Sequence, residues 1–186
     1  MTRVSGFASV SLAALMLVAC AALPDDAPVV EQLDSDTGAT ITRLGHPIEM
    51  FRETFVQDAT GRFAFLAPFE TNQMGARELY LWIAVPIESP PDAEPPSIEV
   101  NGKPLALSAP GRAAEFAGLR KSPYKIPTPW SSMYYYKIDG TVVGALGEAH
   151  DVSVRVAEAT KDGTVRTQFA TQVNADERLK EFAARQ

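Results

Sequence analysis

The residues that this sequence lacks exclude several classes of function. It has one cysteine and two histidines in 186 residues, so neither a disulfide within the chain nor a typical zinc site can be built from it. It contains no phosphate-binding glycine motif and no Gly-x-Ser-x-Gly hydrolase motif. Acidic residues outnumber basic ones, 23 to 17, which gives no electrostatic reason to bind nucleic acid. We expect no metal, no cofactor and no nucleic-acid partner.

Long apolar runs are also absent, except near the N-terminus. A single basic residue, Arg3, precedes the apolar run 12–18, and small residues then lead to Cys20. This order is typical of a secretory signal peptide. The last four residues, Leu17–Cys20 (Leu-Val-Ala-Cys), resemble the lipobox of bacterial lipoproteins. The alternative is a transmembrane anchor, because the uncharged stretch 4–23 just reaches the roughly 20 residues that span a bilayer.

The lipobox resemblance implies a processing route and a location. Residues 1–19 would be removed as a signal peptide, and lipid would be attached to the thiol of Cys20. In Gram-negative lipoproteins an aspartate after that cysteine tends to retain the protein at the inner membrane. Here the position holds Ala21, so the resemblance implies a lipid anchor in the outer membrane, with the domain facing the periplasm.

Behind Cys20 the composition predicts a tether and then one domain. Residues 20–38 carry five acids and two prolines with no basic residue, and such segments bury too little apolar surface to order themselves. We therefore expect 20–38 to be a flexible acidic tether. Residues 39–186 are enough for a single domain with its own core.

Alternating apolar residues predict strands through most of 39–186. The most clearly buried is 78–87, which is apolar on both faces, as in a central strand. Asn101-Gly102 predicts a tight hairpin turn, and Asp162-Gly163 predicts a second one. The pattern favours an antiparallel β-sandwich, of which the immunoglobulin-like fold is one form, with a short crossover helix at 141–149 and a C-terminal amphipathic helix at 175–185. A β-barrel is the main alternative.

One segment is unusually rich in aromatic residues. This aromatic segment, residues 124–136, holds four tyrosines and a tryptophan among prolines, with Lys125 inside it and Lys121 and Lys137 beside it. Tyr and Trp are enriched at binding hot spots because they combine large contact area with a polar tip. The candidate binding residues are Tyr124, Trp130, Tyr134, Tyr135 and Tyr136. The alternative is that the loop packs over the sheet and these rings form a small core of their own.

These patterns predict a non-enzymatic, lipid-anchored envelope protein. It would act through protein contacts, as an accessory or interaction module, with the membrane as its other partner through Cys20. A glycan- or small-molecule-binding lipoprotein that uses the Trp130–Tyr136 region is the alternative. A hydrolase built on His46 or His150 is a third possibility, which would require a serine within hydrogen-bond reach of one of them.

Overall fold

A computed structural model describes residues 27–52, 63–85, 87, 93–125, 128–160, 163–171 and 177–186. Strands dominate the described residues, and every pair of neighbouring strands is antiparallel. The strands are β1 (Val29–Leu33), β2 (Thr40–Leu44), β3 (Ile48–Arg52), β4 (Phe63–Gln73), β5 (Ala76–Val85), β6 (Ser97–Val100), β7 (Lys103–Pro104), β8 (Ser132–Ile138), β9 (Val152–Thr160) and β10 (Gly163–Ala170).

The predicted central strand is confirmed as β5. It pairs with β4 along one edge and with β8 along the other. Its residues Tyr80–Val85 are all buried, because both faces of the strand are covered as well as both edges. A run with apolar residues at both odd and even positions is what such a strand requires.

The strands form one continuous ten-stranded sheet, in which two groups meet at a single junction. β1–β5 and β8 form one group, while β6, β7, β9 and β10 form the other. β10 joins β3 through the two pairs Phe169↔Arg52 and Ala170↔Phe51. Leu81 and Val154, one from each group, belong to the same buried cluster. The mostly β, antiparallel class is confirmed, and the division into two facing sheets stays a prediction.

The predicted boundary between tether and domain needs a correction at its C-terminal end. Val29–Leu33 is a strand, β1, whose five residues all pair with β2. Val29 is buried, and the pairing with β2 adds backbone hydrogen bonds along one edge of the strand. Both offset the ordering cost of an acidic segment. The ordered domain therefore begins before residue 39. Residues 20–26 of the predicted tether lie outside the described residues.

Both predicted helices are present and short. α1 is Gly140–Gly147, and Asp139 caps it by accepting a hydrogen bond from the Val142 N–H at 3.0 Å. α2 is Glu177–Ala184, with Leu179 and Phe182 buried on one side. The two helices pack together so closely that a Cβ at Gly147 would lie 2.7 Å from the Ala183 methyl carbon. None of the helices among the described residues has the length and apolar character needed to cross a membrane.

Candidate functional site

The predicted lipid attachment site lies outside the described residues. Cys20 and the predicted signal peptide 1–19 belong to the stretch 1–26, and the description of the chain starts at Ala27. Lipidation of Cys20 therefore stays a prediction.

The aromatic segment lies mostly inside the protein. Tyr124, Tyr134, Tyr135 and Tyr136 are 4%, 1%, 0% and 2% exposed, whereas Trp130 is 52% exposed. β8 carries the last three tyrosines, and it pairs with β5 on one edge and bridges to the loop before it on the other. The four tyrosines are part of the core, as in the alternative interpretation of this segment. Among the five predicted binding residues, a partner can reach only Trp130 in this structure.

The buried tyrosine hydroxyls have partners within the fold. The Tyr136 hydroxyl donates to the carbonyl oxygen of Pro96 at 2.6 Å. The Arg112 guanidinium donates to the Tyr134 hydroxyl at 2.6 Å and lies 4.6 Å from the centre of the same ring. Burial raises the pKa of Tyr136 above its usual range, so this hydroxyl is a neutral donor at physiological pH. These contacts hold the segment in place.

The Tyr124 hydroxyl fills a break in the strand ladder. β2 and β3 pair with successive halves of β4, and between them the four residues 44–47 stand opposite only two residues of β4. The Tyr124 hydroxyl accepts a hydrogen bond from the Leu44 N–H and donates one to the carbonyl of Pro68, both at 3.1 Å. It thereby satisfies two backbone groups that the bulge would otherwise leave buried without partners. Burial raises the pKa of Tyr124.

The bulge leads directly to a cleft between the sheet and the two helices. His46 and Pro47 line it, and its volume is about 1830 Å³. That is more than the roughly 300–1,000 Å³ of ordinary small-molecule pockets. We refer to it below as the His46–His150 cleft, because it brings together the two histidines of the sequence.

The His46–His150 cleft has an apolar part on both of its sides. The sheet side is lined by Ile48, Phe51 and Phe65, from β3 and β4, and the helix side by Gly144 and Ala183. A Cβ at Gly144 would have no atom within 4 Å, so the absence of a side chain there leaves open space beside α1. Small residues on the helices, such as Gly144, thus contribute to the space beside the sheet.

The rim of the cleft carries charges of both signs. The charged lining residues are Glu49, Glu148, Glu177, Arg178 and Lys180. The Arg178 guanidinium donates to the backbone carbonyl of His46 at 3.2 Å, which ties α2 to the bulge. Lys180 forms an ion pair with Glu177 at 3.0 Å. The rim is therefore neither an anion site nor a cation site alone.

His150 is held by a residue from a distant hairpin. The Asn101 side-chain oxygen accepts hydrogen bonds from the N–H groups of His150 and Asp151, at 2.8 and 3.1 Å. Asn101 and Gly102 have φ values of +51° and +72°, which confirms the predicted tight turn. The pairing of β6 with β9 places this turn beside His150. The sequence predicts the turn, but the hydrogen bonds from His150 and Asp151 to Asn101 depend on long-range strand pairing.

Sequence reasoning did not identify this cleft as a site. His46 and His150 are far apart along the chain, and neither has a second ligand at regular spacing. The one local signal is the His46-Pro47 interruption between two strand patterns, which is also what an ordinary turn looks like. The histidines come together because α2 lies against both the bulge and α1.

The described residues include both histidines and most of the carboxylates of the sequence. Within them, no group of three or more His, Cys, Asp or Glu side chains is arranged to hold a metal ion. Comparisons of this chain with protein-family models, curated proteins and solved structures find no match.

Proposed function

We propose that this chain is a lipid-anchored envelope protein that faces the periplasm and acts, without catalysis, as a binding or accessory module. The lipobox at Leu17–Cys20 and the neutral Ala21 support the anchor and the outer-membrane location. We further propose that its ligand binds in the His46–His150 cleft and not at the aromatic segment.

One observation carries the choice of the cleft. Among the described residues, this cleft combines an apolar part, charged residues and a volume of about 1830 Å³. Ligand sites are typically concave, mostly apolar and equipped with a few polar groups that fix orientation. The buried tyrosines offer no such surface, since their hydroxyls are bonded within the fold.

A second candidate is a protein-contact surface around Trp130. This ring is 52% exposed, and the turn that presents it is closed by a hydrogen bond of 2.8 Å between the Thr128 and Ser131 hydroxyls. An exposed tryptophan on a fixed turn resembles the anchors found at protein interfaces. A single ring is a small surface, however, so the cleft is the stronger proposal.

Photo-crosslinking in intact cells tests both candidates in the full chain. A photoreactive residue replaces Glu49 in the cleft, Trp130 on its turn, or Lys103, an exposed residue of β7 that serves as the matched control. We expect a discrete adduct from position 49 and none from 103. An adduct from 130 alone would move the function to the second candidate. No adduct from either, with the protein folded, would contradict a binding role.

The anchor has its own test. Cys20→Ser removes the only thiol in the chain, so we expect the protein to leave the membrane fraction and to lose incorporation of labelled fatty acid. Ser9→Ala, within the predicted signal peptide 1–19, is the control. Membrane association that survives Cys20→Ser would favour the transmembrane alternative.

A further inference from the structure

The described chain begins at the edge of the His46–His150 cleft. The Gly45 N–H donates to the carbonyl of Pro28 at 3.1 Å, and a Cβ at Gly45 would collide with the carbonyl oxygen of Ala27. Gly45 is adjacent to His46, which lines the cleft. β1 then runs away from this point, since Val29 pairs with Leu44 and Leu33 with Thr40. Ala27, the first described residue, therefore lies beside the cleft.

The position of Ala27 beside the cleft limits how far the cleft can be from the membrane. Cys20 lies seven residues before Ala27, and seven residues span at most about 25 Å when fully extended. If Cys20 is acylated as proposed, the edge of the cleft lies within that distance of the lipid headgroups. The hairpin end of the sheet, near Leu33 and Met74, points away from the attachment side.

The walls and the rim of the cleft suit one kind of nearby molecule. Phe51, Phe65 and Ala183 give the cleft an apolar part, while half of its lining residues are polar or charged, which suits an amphipathic molecule with a hydrocarbon chain and a polar head group. The volume exceeds that of a site for one small molecule. The rim has carboxylates and cations side by side, which complements a head group that carries both an ammonium and a phosphate.

We infer that the His46–His150 cleft binds the acyl chain of a zwitterionic phospholipid from the membrane that anchors the protein. The inference rests on the proposed function, because it assumes both the anchor at Cys20 and the cleft as binding site. The head group contacts the rim, near Arg178 and Glu49, while the chain lies against Phe51 and Phe65.

The test uses the purified full-length lipoprotein in vesicles of phosphatidylethanolamine and phosphatidylglycerol. A trace of phosphatidylethanolamine carries a diazirine near the end of one acyl chain. After irradiation, mass spectrometry locates the adducts. We expect them on the peptides that contain Phe51, Phe65 and α2. Ala184→Trp narrows the cleft at an exposed lining position, and we expect it to lower labelling about tenfold, since the chain loses its apolar contacts.

Ala76→Trp is the matched control. Ala76 is also exposed but lies in the β4–β5 hairpin, outside the cleft, so labelling should stay at the level of the unaltered protein. Equal labelling of both variants, or adducts spread over the whole surface, would overturn the inference. Equal cleft labelling by a phosphatidylglycerol probe with the same diazirine would overturn the part of the inference that concerns the zwitterionic head group.

The same data separate this inference from the proposed function. A protein adduct from position 49 in cells, together with no lipid adduct in vesicles, would leave the cleft as the binding site and reject the phospholipid. Failure of both experiments would reject the cleft itself.

Discussion

The aromatic segment and the His46–His150 cleft show how differently two regions of one chain can be read. The aromatic segment is conspicuous in sequence, yet the structure buries four of its five candidate rings. The cleft is inconspicuous in sequence, yet the structure assembles it from the bulge, two strands and two helices. Aromatic residues serve cores and interfaces equally well because both environments reward large apolar area. Composition therefore indicated an important region without indicating its role.

The largest expected effect tests whether the tyrosines are core. Tyr135→Ala removes a ring with no exposed surface, and we expect it to lower the free energy of unfolding by about 3–5 kcal/mol, as for other buried aromatic truncations. Trp130→Ala, in the same segment, should change it by less than about 0.5 kcal/mol. Urea unfolding of the detergent-solubilised protein, followed by circular dichroism, measures both. Similar losses in the free energy of unfolding for the two variants would contradict the distinction between a buried Tyr135 and an exposed Trp130.

A smaller effect tests the link between the two regions. Tyr124→Phe keeps the ring but leaves the Leu44 N–H and the Pro68 carbonyl buried without the hydroxyl. We expect the free energy of unfolding to fall by about 1–3 kcal/mol. Amide hydrogen exchange gives the more specific readout, because the Leu44 amide should lose protection. Unchanged protection at Leu44 would show that the bulge does not depend on Tyr124.

The smallest expected effect tests the hydrogen bonds that position the His150 end of the cleft. Asn101→Gly keeps a residue that tolerates the positive φ but removes the oxygen that accepts from His150 and Asp151. We expect a loss of about 0.5–1.5 kcal/mol and faster exchange of the His150 and Asp151 amides.

Asn72→Gly is the control for this variant. The Asn72 side-chain oxygen accepts from the Gly75 N–H at 3.0 Å in another turn, so only exchange near Gly75 should rise. If Asn101→Gly left the His150 amide protected, Asn101 would not be what positions that end of the cleft.

Local chemistry determined much of the fold in advance. The two-sided apolar run of β5, the Asn101-Gly102 turn, the short helix near 141–149 and the C-terminal amphipathic helix were all predictable from periodicity and turn residues. Each depends on neighbours within a few positions. β1 was missed because its acidic, proline-flanked composition outweighed the two adjacent valines, and an edge strand needs a partner strand to be stable.

By itself, then, the sequence determined the antiparallel β class, most of the individual elements other than β1, and the Leu-Val-Ala-Cys pattern at Cys20 that resembles a lipobox. Only the tertiary structure decided which aromatic rings are buried and that His46 and His150 share one cleft. The physical reason is that strand alternation and turn propensity act locally, whereas burial and site assembly depend on contacts between segments distant along the chain. Such contacts, like the Asn101–His150 and Arg178–His46 hydrogen bonds, leave no periodic trace in the sequence.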